Sequence, residues 1–198
     1  MPRRAAAPRT ARPWWGVLPD QLDLVRWSEW ARNAQASGAP VPGAVLVESA
    51  EWLSRRPYHR QRVALVLLNM RAFAEELRAL GVEVRTIATD GTMVDAFRSA
   101  AHELGPLLFH EPAEREMRAE LAPLVADGVA RVEPNPHWIT TEADFRAAAT
   151  RDGWRMDSFY RAVRARTGIL MERGAPVGGK LSFDADNRER WDGIPARS

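Results

Sequence analysis

Residues 16–22 read "GVLPDQL". A short apolar run beginning at Trp14 reaches Leu18 and stops at Pro19, and Asp20 and Gln21 follow at once. A run of this length closed by proline is the pattern of a buried strand, so an acid and an amide stand at its carboxyl tip. Working outward, "GAVLVES" (43–49), "VEVRTIA" (82–88), "PLLFHE" (106–111) and "GVARVEP" (128–134) have the same form, each short and bounded by Gly, Pro or polar residues. Helical patterns lie between them. The clearest covers about 60–80, where Val66, Met70, Phe73, Leu77 and Leu80 fall on one face, Arg71, Glu75 and Arg78 on the other, and Gly81 supplies the stop. "TMVDAFRSAAHELG" and "PAEREMRAELAPLVADG" repeat the pattern, the second with Pro112 expected in its first turn.

Strand and helix alternating in this rhythm predict right-handed crossovers and a doubly wound α/β fold: five parallel strands covered on both faces. Ligands of such sheets sit beyond the carboxyl ends of the strands, where strand order reverses. Asp20 and Gln21 lie just past the first strand, Glu48 ends the second, and His110 and Glu111 end the fourth, so these positions are expected to line one crevice. Asp20 and Gln21 serve equally well as a loop that caps the next segment. Glu48, closing the apolar "AVLVE", needs water, a ligand or a cation, because a bare buried carboxylate is costly. Arg55, Arg56 and Arg62 are the candidate cations.

Beyond about 135 the character changes. Thr141 is placed to cap a short helix, "MDSFYRAVRARTG" reads as a second helix opened by Asp157 or its neighbour and ended by Gly168, and the rest is rich in Gly, Pro and Asp. The expected organisation is a disordered basic arm (1–12), a Rossmann-like domain (13–134), C-terminal helices of that domain (135–168) and an extended tail (169–198). Arg161, Arg164 and Arg166 beside Tyr160 suit either phosphates or carboxylate partners, and Gly178 and Gly179 suit a turn.

Composition narrows the chemistry. The 198 residues are 45% hydrophobic and 27% charged with a net charge of +2, ordinary for one globular domain. Cysteine is absent, which removes disulfides, thiolate metal sites, iron–sulfur ligation and cysteine nucleophiles together. There is no Walker loop, no G-x-G-x-x-G after the first strand, no G-x-S-x-G elbow and no histidine pair at metal spacing; His59, His102, His110 and His137 are scattered. No membrane span and no leader are expected, and the chain reads as cytoplasmic. The tryptophans are expected mainly in cores and contacts.

Taken in order, "LPDQL", "VLVES", "YHRQRVALVLLNMRAFAEELRALGVEV", "EPAE" and "MDSFYRAVRARTGILMERGAPVGGKLSFDADNR" resemble the photolyase-related cryptochrome family that carries an iron–sulfur cluster, the bacterial (6-4) photolyase type. The resemblance implies the family's N-terminal Rossmann-like domain with a 6,7-dimethyl-8-ribityllumazine antenna. It places FAD and the cluster on a following helical domain, so neither is expected on these residues, and DNA is met only indirectly. It assigns the antenna to Asp20, Gln21, Leu22, Glu48, His59 and Glu111, with Asp20 and Glu48 as hydrogen-bond acceptors. A separate flavin-binding helical domain is the implied partner; an orphan ligand-binding or interaction module without photochemistry is the alternative. Three departures stand out: Pro19 for a family glycine, Ala113-Glu114-Arg115 for Gly-Glu-Trp, and Lys180-Leu181-Ser182-Phe183 for Arg-Trp-Asn-Phe.

Overall fold

A computed structural model describes residues 12–149 and 153–183. Two compact units divide the chain, Met1–Pro136 and His137–Ser198. In the first, β1 (Trp14–Val17), α1 (Leu24–Ser37), β2 (Gly43–Ser49), α2 (Ala50–Ser54), α3 (Arg60–Ala79), β3 (Val84–Thr89), α4 (Met93–Leu104), β4 (Leu107–His110), α5 (Arg115–Ala126) and β5 (Ala130–Glu133) follow in order. The strands form one parallel sheet in the order β3-β2-β1-β4-β5, with Gly16 opposite Val45 and Trp15 opposite both Ala44 and Leu108. The doubly wound α/β fold expected from the alternation is the fold observed.

The alternation of side chains along each strand explains the two cores. Val17, Ala44 and Leu46 face α1 and α3, where Trp27, Met70, Phe73 and Leu77 meet them. Trp14, Val45, Val47, Leu107 and Phe109 face α4 and α5, against Phe97, Met117, Leu121 and Leu124. Strand order reverses between β1 and β4, and there Gly16 lets Phe109 lie on the strand: a Cβ at residue 16 would stand 2.0 Å from Cε1 of Phe109.

Local chemistry fixes the helix ends. Asp23 accepts from the Arg26 N–H to begin α1, and Gly38 ends it in the left-handed conformation at φ 69°. One expectation changes: α5 starts at Arg115 with Glu114 as its cap residue, not at Pro112. The carbonyls of Pro112 and Ala113 accept from Arg118 Nη1 at 2.9 and 3.2 Å, which holds those two residues as a turn before the helix.

The second unit contains α6 (Glu142–Ala147), α7 (Met156–Thr167) and a hairpin of β6 (Met171–Glu172) and β7 (Ala175–Pro176). Thr141 and Asp144 form the capping box that opens α6. Phe145 stacks on Trp154 at 4.7 Å and meets Phe159 edge-on at 5.2 Å. Arg155 occupies the cap position of α7, and Asp157 lies in the first turn, where its charge suits the helix dipole. Residues 1–11 of the basic arm and 184–198 of the tail lie outside the described residues. Among the described residues no helix is long and apolar enough to cross a membrane.

Candidate functional site

The β1 strand runs into Leu18, Pro19 and Asp20, and β4 runs into Glu111 and Pro112, so both carboxyl ends open at the strand-order reversal. A cavity of about 150 Å³ lies there. Pro19 and Asp20 line it from β1, Trp52 from α2, Arg62 and Val66 from α3, and Pro112, Glu114 and Met117 from the β4 side. It offers one aromatic wall, one guanidinium and two carboxylates within an apolar frame. Asp20 is exposed at its mouth.

Gln21 has another task. Its side chain is 5% exposed, and Nε2 donates to the carbonyl oxygens of His110 and Glu111, both at 3.3 Å. The amide thereby ties the end of β1 to the end of β4. Glu111 itself is exposed; its N–H donates to Glu133 at 2.8 Å, and its carbonyl accepts a second bond from Asn135 Nδ2 at 2.9 Å. Leu22 packs against the α1/α3 core. His59 caps α3, its Nδ1 accepting from the Gln61 N–H at 3.3 Å.

Glu48 points toward α3 with its side chain 12% exposed, and its cation is Arg71, not Arg55, Arg56 or Arg62. Arg71 Nε and Nη2 reach the two carboxylate oxygens at 2.8 and 2.7 Å. That paired hydrogen bonding holds the Glu48 carboxyl below its ordinary value, against the opposing pull of burial, and raises Arg71. Arg55 instead serves Glu51 and Glu120, and Arg56 lies 3.7 Å from Glu116. Glu48 lines a second space of about 320 Å³ with Leu53, Leu67, Thr89 and Asp90. The two acids expected in one crevice thus line different cavities.

Trp52 and Met117 were not singled out by sequence reasoning, and Arg62 was considered only as a partner for Glu48. A usable signal for Trp52 was its spacing: Ser49 caps a turn of helix through the Trp52 N–H, which fixes that indole just beyond β2. On the α1 side, Trp15 lies 4.8 Å from Trp30 and 4.7 Å from the His110 ring, and Trp27 lies 5.2 Å from Trp30. Those tryptophans are core residues, as expected. In the second unit Arg164 and Arg166 are both engaged: Arg164 bonds main-chain oxygens, and Arg166 donates to the Ile139 carbonyl at 2.6 Å and pairs with Asp144.

A family model for deoxyribodipyrimidine photo-lyase-related proteins matches residues 15–197, from the first strand of this sheet through the tail. The chain belongs to the deoxyribodipyrimidine photo-lyase-related family. A (6-4) photolyase of Agrobacterium fabrum (strain C58 / ATCC 33970) is 34% identical over 160 residues, a stretch covering 73% of this chain and 31% of that relative. The chain therefore spans about a third of the length of the curated relative it matches. Within the photo-lyase-related match fall the carboxyl-end cavity, the Glu48–Arg71 pair and the arginine-rich α7.

Proposed function

We propose that this chain is the antenna module of a light-driven DNA-repair system: it holds a flat heterocycle of the 6,7-dimethyl-8-ribityllumazine type. Its excitation would serve FAD on a helical domain, the part that would meet DNA and carry any iron–sulfur cluster. The observation that supports this is Asp20 at the mouth of a cavity at the strand-order reversal, with the Trp52 indole and the Arg62 guanidinium on its walls. A carboxylate accepts from the N–H or hydroxyl groups of such a ligand, an indole stacks on its ring, and a guanidinium donates to its carbonyls.

The cavity volume bears on how this works. At about 150 Å³ it has about half the space of the smaller ordinary ligand clefts (~300 Å³). A bicyclic ring would need Trp52 or Met117 to yield, with Asp20, Trp52 and Arg62 the residues that would hold it. Glu48, held by Arg71, lines the other cavity and is not among the residues that would hold this ligand.

Fluorescence titration of the full chain with 6,7-dimethyl-8-ribityllumazine tests the reading. Wild type binds, and Asp20→Ala weakens binding by roughly ten- to a hundredfold, the loss of one charge-assisted hydrogen bond. No binding by wild type removes the proposal. On a duplex carrying a (6-4) lesion, the chain by itself gives no light-dependent repair. The flavin domain engages the second unit, whose open groove presents Met156, Leu170, Val177 and Phe183. Protection of that groove from proteolysis by an added flavin domain is the expected result.

A further inference from the structure

We infer that α3 is a self-association surface, on which a second copy of this chain packs antiparallel about a two-fold axis between Leu65 and Leu68. This goes beyond the antenna reading and does not depend on it.

The residues Val63–Leu68 of α3 are apolar without a break, yet none is buried. The helix buries Met70, Phe73, Ala74 and Leu77, all in its second half. Leu65 and Leu68 are 59% and 63% exposed, and Ala64 and Ala72 flank them on the same stripe. Small residues beside two leucines allow another helix to approach closely.

Charge says which helix. Arg60 and Arg62 open α3 with no acid in its first turn, and Glu75 and Glu76 lie near its end. That order opposes the helix dipole, which prefers acids at the start and cations at the end. Only Arg78, paired with Glu75 at 2.7 Å, follows the preference. An antiparallel copy turns the arrangement to use, because the basic end of each helix meets the acidic end of the other. With the axis between Leu65 and Leu68, Leu65 packs on Leu68 of the other copy. Arg60 then lies about 10 Å from the axis along the helix and Glu75 about 13 Å, about 60° apart around it, so the two meet across the interface on one flank.

Sedimentation equilibrium of the full chain over a concentration series tests this, with circular dichroism to show that each variant is folded. Wild type approaches twice the mass of one chain as concentration rises. Leu68→Glu is a folded monomer throughout. Arg60→Glu and Glu75→Arg each weaken the dimer by roughly five- to thirtyfold, two symmetry-related pairs being lost at once, and the double swap returns it to within about threefold of wild type. Arg60→Glu suits the helix dipole, so its effect is not loss of α3. A monomeric wild type, a dimer that survives Leu68→Glu, or a double swap no tighter than the single variants overturns the proposal.

Discussion

The side-chain amide of Gln21 donates to the main-chain oxygens of His110 and Glu111, joining two strand ends 89 and 90 residues apart in sequence. It spans the point where the sheet reverses its strand order, so the position of Asp20 relative to Pro112 depends on it. Replacing Gln21 by Leu keeps the bulk and removes both bonds, and is expected to cost about 1–2 kcal/mol in urea unfolding. Gln21→Glu is expected to cost more near neutral pH, because a carboxylate faces two acceptors. The introduced group then has a raised pKa in the folded state and can donate once protonated, so its deficit shrinks as pH falls. A deficit that is flat with pH would contradict this geometry.

The Glu48–Arg71 pair gives the opposite sign. Hydrogen bonding to Arg71 lowers the Glu48 pKa from 4.5 in the folded state, so between the two values the unfolded chain binds more protons. The stability contributed by the pair is fully present above about pH 4.5 and is lost as pH falls through the folded-state value. Wild type should therefore exceed Glu48→Gln in urea midpoint at roughly pH 7, and the gap should close toward roughly pH 3. Arg71→Gln should remove the same pH-dependent component.

Much of this architecture was legible in the chain because the apolar pattern alone determines it. Four of the five strands fell within their expected apolar runs, β3 passed the end of its run by one residue at Thr89, and the period through Met70, Phe73 and Leu77 gave α3 its buried face. The site was legible only in part. Position at a strand tip told that Asp20 and Glu48 lie at carboxyl ends, but not which way each side chain turns. Glu48 alternates toward α3, so its cation comes from a helix 23 residues away rather than from the nearer arginines. Gln21 looked like a ligand residue because nothing local shows that two carbonyls of β4 and its extension lie within reach. Trp52 was hidden in a five-residue helix, too short to show a period.

Gly16 tests the packing at the same reversal point. An added Cβ would stand 2.0 Å from the Phe109 ring, and Phe109 is itself fully buried among Phe97 and its neighbours. Gly16→Ala is expected to cost about 1–3 kcal/mol by overpacking. Phe109→Leu shortens the side chain that blocks the methyl group, so the double variant should be less destabilised than the sum of the singles. A double-mutant cycle by urea unfolding reads the coupling, and strict additivity would show that the clash is relieved elsewhere.

The last prediction concerns Arg164, a guanidinium 5% exposed on α7. Its Nε donates to the Ile169 carbonyl at 3.3 Å, Nη1 to the Leu181 carbonyl at 3.0 Å, and Nη2 to the Leu170 carbonyl, while the charge lies 5.5 Å from the Tyr160 ring centroid. A strand of two residues on each side of a hairpin has little cohesion of its own, and Leu170 and Arg173 sit at positive φ, 54° and 50°, where side chains are strained. The hairpin is thus held from outside, by donors that follow the chain from Ile169 to Leu181. Lysine cannot reproduce this, since its single ammonium lacks the planar fork that reaches three carbonyls at once. Arg164→Lys and Arg164→Ala should both loosen residues 169–181, and trypsin should cut after Arg173 and Lys180 roughly ten times faster than in wild type, the change expected when about 1.5 kcal/mol of local hold is lost. The variants should leave the unfolding of the α/β unit unchanged, because none of the groups Arg164 bonds lies in that unit. Equal cleavage rates in wild type and Arg164→Ala would mean that the hairpin is held by its groove-lining side chains, and that Arg164 is buried without restraining it.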